Sequence, residues 1–184
     1  MDLREKIMQT ASALFYERGV RAVGVDLLVE KAGVAKTSLY RHFHTKDDLI
    51  AAYLEREDAD FWRLWDEASA AHPDDPRAEL DAHFQWIGER VRAPHYRGCP
   101  QINVAVEFPE AGHPARIIAS AHKKEMKRRL VDLARRMGVA RAEELATQLA
   151  VLVNGAFVSP QTLAGIDASL LLQRAGQALV AAAG

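Results

Sequence analysis

The stretch Val25–Leu49, VDLLVEKAGVAKTSLYRHFHTKDDL, decides the fold. Val25, Leu28, Val29 and Ala32 recur at i, i+3, i+4 and i+7, which predicts a short amphipathic helix. Gly33 follows, the residue type that most easily takes the left-handed conformation just past a helix end. A few residues on, the helical pattern restarts with Leu39 and Phe43 on one face. The other face carries Lys36, Thr37, Ser38, Tyr40, Arg41 and His42. Two short helices across a tight Gly-containing turn, the second exposing hydrogen-bond donors, predict a helix-turn-helix.

From Lys36 to Lys46 there are three Lys or Arg and two His, with no acid. Such a face suits DNA, because phosphate contacts supply most of the affinity and acids would be repelled. A basic run alone describes an ordinary solvated helix equally well. The neighbouring residues separate the two readings. Ala32-Gly33-Val34, Leu39-Tyr40-Arg41-His42-Phe43, Lys46 and Leu49, with Ile7, Ala11, Leu14, Phe15 and Gly19 upstream, resemble the DNA-binding domain of the tetracycline-repressor (TetR) family. The resemblance is close over roughly the first 50 residues and weaker beyond. It implies that the helix from Leu3 to about Gly19 packs behind the helix-turn-helix as the third member of the unit. Two positions depart from the family. Gly24 stands before the second helix, where relatives commonly have Ser or Thr, and Ala35 before the third, where they favour Ser. A missing N-cap oxygen costs about 1 kcal/mol per helix start and removes a potential phosphate contact.

Net charge is −1, and the first 50 residues hold eight Lys or Arg against seven Asp or Glu, so affinity for nucleic acid has to come from a local patch. Cys99 is alone, which excludes an intramolecular disulfide and a Cys-based metal site. The first residues, MDLREKIMQT, contain no apolar targeting core, and no stretch approaches the apolar length of a membrane span. The expectation is a cytoplasmic protein with no membrane partner, no cofactor and no metal.

The rest of the chain reads as helices separated by Pro and Gly. Thr45 to Asp48 has the spacing of a capping box and starts a long helix reaching His72-Pro73-Asp74-Asp75-Pro76. Further helices are expected with Leu80, Phe84, Ile87 and Val91; from Pro100 to Glu107; from Pro114 to Met137; from Arg141 to about Leu163, kinked or ended by Pro160; and from Asp167. The fold class is all-α, about nine helices: a three-helix DNA-binding domain over 1–48 and a ligand-binding and dimerisation bundle over 49–184.

His83, Asn103, Glu107, His122 and Asn154 interrupt the apolar stripes of that bundle, and Phe61, Trp62, Trp65, Phe84, Trp86 and Phe157 supply aromatic walls. Polar groups on core-facing stripes mark either an internal network or a small-molecule pocket. Because the family responds to ligands, the resemblance favours the pocket. His83, Glu107 and His122 also have the composition of a 2-His-1-carboxylate metal site, without its local spacing. Cys99 reads as a small helix-start residue, and the basic run Lys123 to Arg136 as a solvated face. No nucleophile elbow, phosphate loop or HExxH motif points to an enzyme.

The resemblance implies a homodimer on a palindromic double-stranded operator, with Tyr40, His42 and Lys46 on phosphates, Lys36 and Thr37 toward base edges, and Ser38 and Arg41 on the same face. The dimer interface is expected on the last two helices, through Leu145, Leu149, Leu152, Leu171 and Leu179. A small-molecule inducer would release a repressor. The rival reading is a small-molecule sensor whose DNA binding is weakened or lost, for which Gly24 and Ala35 are the support.

Overall fold

The computed structural model describes residues 2–163 and 165–183. Nine α-helices, and no strand, lie among them: α1 Leu3–Arg18, α2 Val25–Ala32, α3 Lys36–His42, α4 Lys46–Ala70, α5 Pro76–Arg92, α6 Pro100–Glu107, α7 Pro114–Arg136, α8 Ala142–Val158 and α9 Ala168–Ala183. Pro160 lies in a single 3-10 turn, Ser159–Gln161, and α8 ends just before it at Val158, the second of the two effects expected of that proline.

The chain divides into two compact units. The first comprises Met1–Asp60 and Pro100–His122, the second Phe61–Cys99 and Lys123–Gly184. The N-terminal unit therefore extends past residue 48 and takes in a second stretch of chain. Its core explains why: Ile7, Ala11, Phe15, Leu28, Leu39 and Phe43 from α1–α3 share one buried cluster with Leu49, Ile50, Tyr53 and Leu54 of α4, Val104 of α6 and Ala115 of α7. Phe15 and Tyr53 meet with ring centroids 5.6 Å apart. The Gln101 side-chain amide donates to the Leu54 carbonyl at 3.1 Å inside this unit.

Local chemistry sets the helix ends. Asp2 caps α1 by accepting from the Glu5 N–H at 2.9 Å. Gly33 is left-handed (φ 60°, ψ 45°), its N–H donating to Glu30 while the Val34 N–H reaches back to Val29, both at 3.1 Å. These two bonds form a Schellman closure and turn the chain sharply into α3. The expected capping box is present: the Thr45 N–H donates to Asp48 Oδ2 at 2.9 Å, and the Asp48 N–H donates to Thr45 Oγ1 at 3.0 Å. Gly24 and Ala35 make no side-chain cap, as their chemistry requires.

In the second unit, α9 packs on α5 and α8. The α5–α9 approach is close enough to require glycine on both helices. A Cβ on Gly88 would stand 2.2 Å from Ser169 Cβ, and one on Gly176 would stand 2.2 Å from Phe84 Cε2.

Candidate functional site

The helix-turn-helix presents the α3 face to solvent. Lys36, Thr37, Arg41 and His42 are exposed, Ser38 is half-buried, and Tyr40 is 39% exposed although it is a large aromatic residue. Leu39 and Phe43 anchor the opposite side of the helix in the core, which fixes the direction of that face. Arg4 of α1 lies over the Phe43 ring, 5.1 Å from its centroid. Lys36 is paired with Asp26 of α2 at 2.8 Å, and this bond raises the Lys36 pKa above the ordinary lysine value. Sequence spacing gave no sign of this pair, which lies in water and can exchange for a phosphate. Lys46, at the start of α4, is half-buried, and burial pushes its ammonium below the usual lysine range.

Behind this face sits a contact absent from the sequence reading. Glu107, the last residue of α6, accepts the Val20 N–H at 3.1 Å and the Arg21 N–H at 2.8 Å, both in the α1–α2 connection. The Arg21 guanidinium returns a bond to the Glu107 carbonyl at 3.2 Å. Gly19 makes room for the carboxylate, because a Cβ there would lie 2.9 Å from Glu107 Oε1. Glu107 was expected to line a ligand pocket. Its carboxylate instead ties the α1–α2 connection to the end of α6, satisfying two loop amide donors.

His122, also expected at the pocket, belongs to the same first unit and places Nδ1 2.5 Å from Asp58 Oδ1. Asn103 is half-buried on α6 in that unit. His83 lies in the second unit with other partners. The three proposed metal ligands thus each have a separate partner, and among the described residues no group of three His, Cys, Asp or Glu side chains is gathered for a metal ion.

The second unit brings together the remaining pocket residues. Phe61, Trp62, Trp65, Trp86 and Phe157 form one aromatic cluster, with Phe61 at 5.0 Å from Trp62 and Trp86 and 6.4 Å from Phe157. His83 stacks on Trp65 at 3.8 Å with 21° between the rings. Phe84 is buried toward Gly176 of α9. Asn154 has its side-chain oxygen buried without a hydrogen-bond partner.

Around His83 is a buried network that the sequence reading identified only in part. Glu79, 3% exposed, accepts from Ser69 Oγ at 2.8 Å and pairs with Arg136. His83 Nε2 lies 3.3 Å from Ser69 Oγ and 3.5 Å from Glu79 Oε1. Ser69 gives its one proton to Glu79, so Nε2 carries a proton and Nδ1 is a bare, buried acceptor with no partner. Burial drives the His83 pKa down to about 4 despite the pull of Glu79. The i, i+4 spacing of Glu79 and His83 was the available signal for this pair.

The α7 basic run is largely neutralised. Arg128 pairs with Glu125 and Asp132, Arg129 with Glu125 and Asp66, and Arg135 with Asp132 and Glu143. Hydrogen bonds from Arg128, then Arg129, hold the Glu125 carboxyl at about 2. Trp62 lies beneath the Arg129 guanidinium at 4.2 Å.

The five leucines expected at a dimer interface divide by exposure. Leu145 and Leu149 are fully buried inside the subunit and cannot reach a partner. Leu152 and Leu179 are half-buried, and Leu171 is 51% exposed. Val151, Val158 and Leu170 join Leu171 as exposed apolar side chains on α8 and α9. Among the described residues, no helix is long and apolar enough to cross a membrane.

Residues 7–53 match the family model described as bacterial regulatory proteins, tetR family. A putative tetR transcriptional regulator from Streptomyces avermitilis MA-4680 is 30% identical, over 100% of this chain and 98% of that one, with a TM-score of 0.88. A TetR-family transcriptional regulator from Streptomyces coelicolor is 26% identical, over 98% and 95% of the two chains, with a TM-score of 0.94. The transcriptional repressor KstR2 of Rhodococcus jostii RHA1 is 33% identical over 92 residues, covering 50% of this chain and 45% of that protein. The transcriptional activator FasR of Mycolicibacterium smegmatis is 42% identical over 53 residues, 29% of this chain and 24% of that protein. The chain thus spans less than half the length of either curated relative.

Proposed function

Because the chain belongs to the TetR family of bacterial transcriptional regulators, we propose that it binds a palindromic DNA operator as a homodimer and represses transcription until a small molecule releases it. The observation that carries this reading is the α3 face, on which Lys36, Thr37, Tyr40, Arg41 and His42 stand exposed over a buried Leu39 and Phe43. A dimer would present this face twice, at a spacing matched to successive major grooves. Tyr40, His42 and Lys46 would contact phosphates, and Lys36 and Thr37 base edges. Exposed Val151, Val158, Leu170 and Leu171 supply the apolar surface for pairing subunits.

The aromatic cluster, with the unpartnered His83 Nδ1 and Asn154 Oδ1 near apolar walls, supports an aromatic or apolar inducer offering hydrogen-bond donors. The inducer acts to the extent that it binds the DNA-competent and released conformations unequally. Helix α4 contributes residues to both units and is the lever this reading requires.

Fluorescence anisotropy with the DNA upstream of the chain's own gene tests the proposal. Tyr40→Ala should weaken binding by about 1–3 kcal/mol with helix content unchanged. Wild-type affinity in that variant removes the assigned face. The uncapped starts of α2 and α3 favour a second reading, a sensor with lost DNA binding, and no sequence-selective binding by the wild type would establish it.

A further inference from the structure

We propose that Cys99 and Lys123 are an oxidant-closed pair, joined by a direct Sγ–Nζ bond when a peroxide oxidises the thiol and reopened by thiol reductants. This proposal is independent of the operator reading. Lys123 Nζ lies 3.6 Å from Cys99 Sγ. Cys99 is only 6% exposed, in the segment entering α6, and Lys123 is half-buried on α7. The ammonium sits 5.1 Å above the Phe157 ring. Among the described residues no carboxylate pairs with it, whereas Arg128, Arg129, Arg135 and Arg136 on the same helix are all paired with acids. A lysine drawn into an apolar site toward a thiol has no evident role in stability, because burying an ammonium without a carboxylate is costly.

The site favours amine chemistry. Burial pushes Lys123 below the ordinary lysine range, so a larger share is the neutral, nucleophilic amine than on an exposed lysine. The chain has no second cysteine, so an oxidised Sγ has no thiol of its own to condense with. In the first step the thiol takes one oxygen from the peroxide. The O–O bond breaks, sulfur is oxidised by two electrons, and water leaves, giving Sγ–OH. In the second step the Nζ lone pair attacks Sγ and the S–O bond breaks. The departing hydroxide takes an amine proton and leaves as a second water. The pair has then lost two hydrogens. For reversal, an external thiolate attacks Sγ and expels the amine, which regains its proton, and a second thiol resolves the mixed disulfide.

The test treats the full chain with hydrogen peroxide, quenches with catalase, blocks free thiols and maps tryptic peptides by mass. The expected product is lighter by two hydrogens, joins Gly98–Arg116 to a peptide containing Lys123, resists cleavage after Lys123, and reverts with dithiothreitol. Lys124→Arg should still close the link. Lys123→Arg should instead carry the same peroxide dose on to an irreversible product heavier by two oxygens. Sulfinate forming equally fast in wild type and Lys123→Arg overturns the proposal, as does a Cys99 sulfenic acid trapped by dimedone while trypsin still cuts after Lys123. A linked product that retains one peroxide oxygen overturns the direct bond. If Lys123→Arg fails to fold, the wild-type peptide map decides alone.

Discussion

The buried histidine of α5 makes folding stability depend on acidity with a calculable sign. His83 is 1% exposed, stacked on Trp65, and faced by Ser69 and Glu79, with Arg129 and then Arg136 adding repulsion. Desolvation is the largest influence and lowers its pKa from 6.5 to about 4, while Glu79 acts in the opposite direction and loses. Between those two values the unfolded chain binds a proton that the folded chain refuses. The contribution is therefore intact above about pH 6.5, shrinks as pH falls through the window, and is gone below about pH 4. The difference amounts to roughly 3 kcal/mol, a large share of the stability of a small protein. Urea denaturation at fixed protein concentration, repeated between about pH 4 and pH 7, measures it. Subtracting the profile of His83→Phe, which keeps a ring against Trp65, removes the carboxylates common to both proteins. The expected result is a steeper acid loss in the wild type. Parallel profiles, or an imidazole NMR titration with a midpoint at the ordinary histidine value, would refute the reasoning.

Three other outcomes follow from the contacts and exposures already given. Glu107→Ala leaves the Val20 and Arg21 amides without their carboxylate, and should cost about 2 kcal/mol, discounted for the exposure of Arg21. Hydrogen exchange at those two amides should accelerate by about 30-fold, and unchanged protection would show that the contact is idle in solution. Lys46→Ala should lower DNA affinity nearly uniformly across sequences and flatten the log–log salt slope by about one ion per half-site; an unaltered slope would mean that Lys46 neutralises no phosphate. Leu171→Glu, at a half-exposed position on α9, should dissociate the proposed dimer while leaving helix content intact, and an unshifted sedimentation coefficient would place the interface elsewhere.

The sequence displayed what local periodicity encodes and concealed what distant pairing decides. Gly33, the Thr45–Asp48 box and the Leu39–Phe43 anchor were legible because each acts within a few residues of itself. Glu107 was not, because its partners lie 86 and 87 positions away and a polar residue on a stripe looks the same whether it meets a ligand or a loop. Glu79 was hidden for the same reason, since Arg136 is 57 positions distant. Leu145 and Leu149 show a different limit. Spacing reveals that a helix has an apolar side, but α8 has both buried Leu145 and Leu149 and exposed Val151 and Val158, and periodicity does not tell the inward apolar residues from the outward ones.

The first unit is assembled from two stretches of chain with Phe61–Cys99 inserted between them. During synthesis α1–α3 precede Val104, Glu107 and Ala115, which leave the ribosome only after α4 and α5 have been made. The unit's core is thus incomplete for much of translation, and a fragment ending near residue 60 would expose the surface those residues cover. The same applies to grafting. Moving this helix-turn-helix onto another regulator requires transplanting a matched α6 end, with an acid at the position of Glu107 and glycine at that of Gly19. A hybrid joined at a single point in α4 would inherit the reading face without the carboxylate that holds its α1–α2 connection.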